Sequence, residues 1–380
     1  MAANVIIRAD ASGAIGTGHI MRCLSLADEL ASCGYCIIFI SRLLEGNLRD
    51  YIIQRGYPFV GIPSTAPLER LDVAAVEQDA QYTVQLCAKM HPDWLIVDHY
   101  ALDEQWEVSV KPHAGKLMVI DDLADRRHSA DLLLDQNLSS DQEYRYRNLV
   151  PDDCKMLLGP SYLLLRPSFY EQRAALRRRG EEVKRLLVFF GGSDPTNETL
   201  KALKALNSLT ANSPMDTPLI HTDVVIGTAN PRLEEIKQFC DEMTGVALHI
   251  QIENMAELIA AADFALGAGG VAMWERCYLG LPSAVAVVAE NQADTVALAG
   301  QLGAVIEMGW HGQINSEQYA DILNKACGSI FNLGAMGTKA LELMGSQPGQ
   351  KQSRVITVIT EERLRDERHS HFGPHNWENT

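Results

Sequence analysis

At 380 residues the chain is longer than one hydrophobic core normally organises, and its 47% hydrophobic and 22% charged content excludes a largely disordered polymer. With 49 acidic against 33 basic residues, the formal net charge of -16 repels polyanions and argues against nucleic acid or an anionic membrane surface as partners. Any phosphate must therefore be held locally, by backbone amides, helix N-termini or a few placed side chains.

Asn4 to Arg8 reads directly as a strand, with no basic-then-apolar leader before it. No apolar run approaches the ~18 residues that span a bilayer, so a cytoplasmic protein without membrane insertion is expected. After the strand Val5–Arg8 comes a glycine-rich loop from Gly13 to Gly18. Ile20 to Cys33 then repeats Ile20, Cys23, Leu24, Ala27, Leu30 and Ala31 at helical spacing. Apolar strands follow at Cys36–Ile40, Trp94–Val97, Lys116–Ile120 and Leu132–Leu134. Continuous apolar strands separated by helices indicate a parallel sheet covered on both faces. The eight cysteines lie mostly in apolar segments, as reduced core thiols would. Cys33 and Cys36 have redox-motif spacing but read as a helix end running into the next strand.

A charged segment, Arg173 to Lys184, is expected to be a solvated helix end plus linker, dividing a first domain (1–175) from a second (183–345). The strand pattern restarts at Arg185–Phe190 and continues at Asp223–Ile226, Phe264–Leu266, Ser283–Val287 and Ala304–Ile306. From Ser346 the chain turns polar, and Glu361 to Thr380 has no apolar period. A flexible tail is expected there, in preference to a metal site on His369, His371 and His375. Two doubly wound domains place their ligand-binding loops at strand C-termini, with an interdomain cleft between them.

Four loops carry candidate chemistry. The first, Gly13-Ala14-Ile15-Gly16-Thr17-Gly18-His19, has Gly-x-x-Gly-x-Gly order rather than the dinucleotide fingerprint. The second strand also ends in Ser41-Arg42, without the acidic residue that holds an NAD ribose, so a dehydrogenase is disfavoured. Gly16 and Gly18 give a ligand access to backbone amides. His19, at a helix start, faces the positive end of the macrodipole, which favours a neutral ring able to accept a proton. A ring that merely packs or caps is the plainer possibility. The second is Asp98-His99-Tyr100, where Tyr100 either hydrogen-bonds a substrate or packs on the loop. Asp121-Asp122, at the next strand end, fits metal or acid–base work as well as turn capping. The third, Gly191-Gly192-Ser193-Asp194-Pro195-Thr196-Asn197, is a strand–turn–helix suited to a phosphate or a sugar hydroxyl through Gly192, Ser193 and Asn197, or an ordinary tight turn. The fourth is Gly267-Ala268-Gly269-Gly270 before a helix with Glu275. Amides of Gly269 and Gly270 suit a diphosphate, and the carboxylate suits a ribose diol. Ile252-Glu253-Asn254-Met255 can present backbone groups to a base edge, and Ala289-Glu290-Asn291-Gln292 an amide side chain to a sugar.

These segments together resemble the PseG-type UDP-sugar hydrolases of pseudaminic acid biosynthesis. The likeness runs through Arg8-Ala9-Asp10-Ala11-Ser12, Gly16-Thr17-Gly18-His19 with Met21-Arg22-Cys23-Leu24, Asp98-His99-Tyr100 and Asp121-Asp122-Leu123-Ala124. It continues in Leu133-Leu134-Asp135-Gln136-Asn137, Gly159-Pro160-Ser161-Tyr162 with Leu165-Arg166-Pro167, Gly191-Gly192-Ser193-Asp194 and Glu290-Asn291-Gln292. Ile252 to Gln292 also resembles the UDP-binding half of MurG-type glycosyltransferases. The resemblance implies an α/β GT-B fold of two Rossmann-like domains, with the last segment (346–380) crossing back to the first. It implies hydrolysis of a UDP-activated 2,4-diacetamido-2,4,6-trideoxy sugar at the anomeric C–O bond, with inversion and with neither metal nor cofactor. His19 is then the general base, and Tyr100 and Asn291 are sugar-side catalytic contacts. Gly16, Gly18, Gly192, Ser193, Asn197, Ile252, Met255, Gly269, Gly270, Glu275 and Gln292 bind substrate. A glycosyltransferase of the same fold is the alternative, and an inactive UDP-sugar binder a further one.

Overall fold

The computed structural model describes residues 3–371 apart from 14, 65, 69–71, 143, 213–219 and 346–349. In chain order its elements are β1 (Asn4–Ala9), α1 (Gly18–Ser32), β2 (Cys36–Arg42), α2 (Arg49–Gln54), β3 (Phe59–Ile62), α3 (Val73–Met90), β4 (Trp94–Asp98), α4 (Glu104–Val110), β5 (Lys116–Ile120), β6 (Leu132–Asp135), β7 (Lys155–Leu158) and α5 (Pro167–Ala174). There follow β8 (Arg185–Phe189), α6 (Glu198–Asn212), β9 (His221–Ile226), α7 (Leu233–Asp241), β10 (Val246–Ile250), α8 (Met255–Ala261), β11 (Phe264–Ala268), α9 (Val271–Tyr278), β12 (Ser283–Val287), α10 (Ala293–Gln301), β13 (Ile306–Trp310), α11 (Ser316–Cys327), α12 (Leu333–Leu343) and α13 (Arg354–His371). The chain divides into two compact units, one of Met1–Asn137, Asp141–Pro167 and Gln352–Thr380, the other of Leu138–Ser140 and Ser168–Lys351. No helix of the described residues is long and apolar enough to cross a membrane.

The first unit holds a seven-stranded sheet of order β3-β2-β1-β4-β5-β6-β7, with every pairing parallel. Successive side chains of a strand face opposite sides, so a sheet covered twice needs apolar residues at every position. Val5 and Ile7 of β1 accordingly join Ile20, Cys23, Leu24, Ala27 and Leu30 of α1 on one face. Ile6 joins Trp106, Val110 and Cys87 on the other. Each of these β1 and α1 side chains is about 1% exposed or less. Cys33 caps the end of α1 and Cys36 opens β2, which is the helix-to-strand passage expected of that pair.

The final helix completes this first core. Val355, Ile356 and Ile359 of α13 are fully buried in the α1 face, and Ser353 N donates to the buried Glu29 Oε2 at 2.7 Å. Glu361 to His371, expected within the tail, continue this helix, and 372–380 lie outside the described residues. Its apolar anchor lies just upstream, and the polar turns that follow are rich in Glu and Arg, good helix formers that need no buried face. The side chains of His369 and His371, and the whole of His375, lie outside the described residues.

The second unit repeats the plan with a six-stranded parallel sheet, β10-β9-β8-β11-β12-β13. Its core joins Leu186 and Val188 of β8 to Leu200, Leu203 and Leu206 of α6, with Phe264, Leu266 and Tyr319. The last strand begins at Ile306, so Ala304 and Val305, expected inside it, precede it. The charged linker is also not simply solvated. Arg179 donates to the carbonyls of Ile259, Ala262 and Leu279, and Arg177 to those of Ala261 and Ala262 and to Asp263. Helix C-termini leave unpaired carbonyls with partial negative charge, and these guanidiniums satisfy the ends of α8 and α9.

Candidate active site

In both sheets the strand order reverses beside the first strand of the unit: between β1 and β4 in the first, and between β8 and β11 in the second. At such a point neighbouring βα loops splay apart beyond the strand C-termini and leave a crevice.

In the first unit this reversal brings His19 and Asp98 together. The loop after β1 turns through an isolated bridge of Ser12 with Gly16, whose φ of +83° is one that glycine adopts without strain. Ser12 Oγ accepts from Ile15 N at 3.0 Å and Ser12 O from Gly16 N at 2.8 Å. Gly18 then opens α1, and His19 lies in its first turn. His19 Nδ1 is 2.6 Å from Oδ1 of Asp98, the last residue of β4. Arg22, one turn along the same helix face, donates to both oxygens of that carboxylate, Nε to Oδ2 at 2.5 Å and Nη2 to Oδ1 at 2.6 Å. Burial alone pushes the Asp98 carboxyl up, but Arg22 and His19 overcome it and hold the group ionised, well below the usual carboxylate range. An ionised Asp98 is acceptor-only, so in the neutral ring Nδ1 carries the proton and Nε2 the free lone pair.

Tyr100 meets the His19 ring edge-on at 4.6 Å between centroids. Burial and a hydrogen bond to Asp122 raise its phenol above the ordinary range. Asp122 Oδ2 accepts from Arg22 Nη1 at 3.0 Å, while Asp122 Oδ1 is buried without a partner. Asp121 turns the other way, pairing with Arg126 at 2.6 Å and capping Ala124 N. The two adjacent carboxylates thus do separate jobs. Beneath this surface, Arg8 is fully buried between Asp10 (2.5 Å) and Asp79 (2.7 Å). His99 bonds Asp10 through Nε2 and accepts from Ala101 N through Nδ1, so it braces the loop bases from inside.

In the second unit the two loops at the reversal differ in one respect that matters for an anion. The amides at the start of α6 are already taken, since Asp194 accepts from Glu198 N at 3.0 Å and Thr199 N at 2.8 Å. That internal carboxylate occupies the place a ligand phosphate would need, leaving exposed Gly192 and Ser193 and half-buried Asn197 around it. By contrast α9 starts at Gly270 (φ +74°) with no side-chain cap and no acidic residue in its first turn. Its N-terminal amides are of the kind that bind anions. Glu275 lies one turn further, half-buried. Gln292 Oε1 accepts from Val288 N at 3.1 Å, and a Cβ at Gly269 would lie 3.0 Å from that oxygen, so Gln292 packs against the glycine loop. Asn291 is exposed beside it. Ile252 is half-buried between β10 and α8, and Met255 points into the core, which leaves its backbone as the group that can meet a ligand.

The fold these two units build is the α/β fold of GT-B glycosyltransferases. Over 94% of the chain it superposes on 99% of MurG from Acinetobacter baumannii with a TM-score of 0.61 at 13% identity. It superposes equally widely on the spinosyn rhamnosyltransferase SpnG, with a TM-score of 0.60 at 16% identity. In sequence the chain is 28% identical over 256 residues to the UDP-2,4-diacetamido-2,4,6-trideoxy-β-L-altropyranose hydrolase of Campylobacter jejuni, covering 67% of this chain and 81% of the relative. It is 27% identical over 297 residues to an uncharacterized protein of Methanocaldococcus jannaschii, covering 76% of this chain but only 56% of that longer relative. No protein-family model matches the chain.

Asp98 and Arg22 went unassigned in the sequence, although the signal was there. His19 and Arg22 are three apart on a helix and share a face. Asp98 ends a buried apolar strand, where a carboxylate needs cationic partners.

Proposed function

We propose that the chain is a UDP-sugar-processing enzyme that hydrolyses a UDP-activated 2,4-diacetamido-2,4,6-trideoxy sugar at its anomeric C–O bond. The observation that carries the reading is the His19–Asp98 pair at a strand-order reversal, in a chain similar to a hydrolase of such a substrate. His19 Nε2 accepts a proton from water as the oxygen attacks the anomeric carbon from the face opposite the diphosphate, giving inversion. Asp98 fixes the ring's tautomer and stabilises the imidazolium that forms. Amides of Gly269, Gly270 and the α9 N-terminus take the growing charge of the departing UDP, and Glu275 accepts hydrogen bonds from the ribose hydroxyls. Tyr100 and Asn291 position the sugar.

The GT-B likeness supports a second reading, transfer of the sugar to an acceptor other than water. Incubation of the purified protein with a panel of UDP-diacetamido sugars and no acceptor separates the two, with products and anomeric configuration followed by NMR. Hydrolysis predicts stoichiometric UDP and free sugar, and a loss of ~10²-fold or more in His19→Ala, the scale of a general base. UDP release that requires an added acceptor rejects the hydrolase reading, and equal turnover in His19→Ala removes this residue from the mechanism.

A further inference from the structure

Arg276 is a buried cation whose charge feels the carboxylate of the adjacent Glu275 without a direct ion pair to it. It lies in the last turn of α9, is 1% exposed, and forms no ion pair among the described residues. Its side chain runs back along the helix toward the glycine loop, where Nη2 donates to Ala268 O at 2.7 Å. The guanidinium lies flat against Gly267, for a Cβ there would come within 2.6 Å of Nη1 and 2.9 Å of Cζ. Gly267 is therefore the residue that lets a cation reach the underside of this loop. Nε has no hydrogen-bond partner.

Burying a charge without a partner is costly, and an ordinary packing role would be filled more stably by an apolar side chain. In a medium of low polarisability the field of such a charge is poorly screened. The same loop ends in the amides that open α9, which carry no side-chain cap. Desolvation pulls the group down to about 10 although the carboxylate of Glu275 opposes it, so it remains charged at neutral pH and its charged form can gain from a further anion. From the absence of an ion pair, the unpartnered Nε and the direction of the side chain we infer that Arg276 is a positioning residue for the diphosphate, a fixed positive charge beside the Gly267–Gly270 loop. The inference rests on the reading that this loop holds a nucleotide diphosphate.

Titration calorimetry of the full chain with uridine, UMP and UDP tests it, comparing wild type with Arg276→Met and Arg276→Lys, each checked for native circular dichroism. The expected result is a graded loss in Arg276→Met: within about 3-fold for uridine, larger for UMP, and about 10- to 100-fold for UDP. Arg276→Lys recovers part of the UDP affinity and keeps the steeper salt dependence of the wild type. Should Arg276→Met not fold, the Lys variant carries the same comparison, because a displaced, shorter cation must still weaken UDP more than uridine. Equal losses for uridine and UDP would mean that Arg276 only supports the loop, and would overturn the inference. Failure of the wild type to bind UDP at all would instead sink the nucleotide reading beneath it.

Discussion

Replacing Asp98 with Asn keeps the shape of the buried side chain and removes its charge. The carboxylate accepts three short bonds, from His19 Nδ1 at 2.6 Å and from Arg22 Nε and Nη2 at 2.5 and 2.6 Å, in a fully buried position. An amide has one acceptor oxygen. Turned toward His19, it sets its NH2 against Arg22 Nε; turned toward Arg22 Nε, it sets NH2 against Nδ1 and forces the ring proton onto Nε2. In either orientation Arg22 loses a buried partner, which costs about 3–5 kcal/mol. For a unit of this size that lowers Tm by roughly 6–20 °C. The negative charge that stabilises a forming imidazolium is also gone, so turnover of a UDP-sugar falls by ~10²–10⁴-fold. UDP affinity stays within about 3-fold, because Glu275 and the α9 loop belong to the other unit. Steady-state UDP release below the variant's melting transition, with calorimetric Kd values alongside, measures both. A folded Asp98→Asn protein with wild-type turnover would refute the argument.

Three further outcomes follow from other groups. Glu275→Ala should weaken UDP binding by about 1.5–3 kcal/mol, the worth of charge-assisted hydrogen bonds, and unchanged calorimetric affinity would remove it from the ribose site. His128 is buried against Glu107 at 2.6 Å; desolvation opposes its charge, but Asp121 and Glu107 raise it to about 9 from 6.5. That bond contributes on the order of 3 kcal/mol, fully present below pH 6.5 and lost as pH rises through 9, so urea midpoints should fall between pH 7 and 10 in wild type and much less in His128→Gln. Burial raises Asp135 to about 6 from 3.8 despite Arg145 at 3.1 Å, so its ionisation costs the folded state stability above pH 6 and nothing below about 3.8. Asp135→Asn should accordingly raise the urea midpoint at pH 8 and leave it unmoved at pH 4; a fall at pH 8 would show that its pairing with Arg145 outweighs burial.

The central strands were legible in the sequence and the outer ones were not, for one reason. Strands β1, β4, β5, β11 and β12 are covered on both faces and read as unbroken apolar runs, found to within two residues. The three unnoticed strands, β3, β7 and β10, and the misplaced β13 are the four sheet edges. Most of their positions are half-buried or exposed, so Phe59–Ile62 or Val246–Ile250 carry no unbroken apolar run to stand out. At the sites, glycine turns and His19 were visible because the residue types are unusual where they stand. What stayed hidden depends on which strands become neighbours. Pairing β1 with β4 sets Asp98 beside His19, and the cap supplied by Asp194 takes the α6 amides that Gly192 and Ser193 advertise.

The return of α13 to the first sheet has a consequence for how the chain acquires its structure. Val355, Ile356 and Ile359 are needed to close a core whose other side chains lie before residue 165, and all of the second unit but Leu138–Ser140 is synthesised in between. On the ribosome the domain begun first is thus finished last, its α1 face open to water while its successor folds almost entirely from one stretch, Ser168–Lys351. A released chain truncated after Lys351 should present a folded second unit tethered to an incomplete first one, which marks a vulnerable interval for proteases and a natural moment for chaperone engagement.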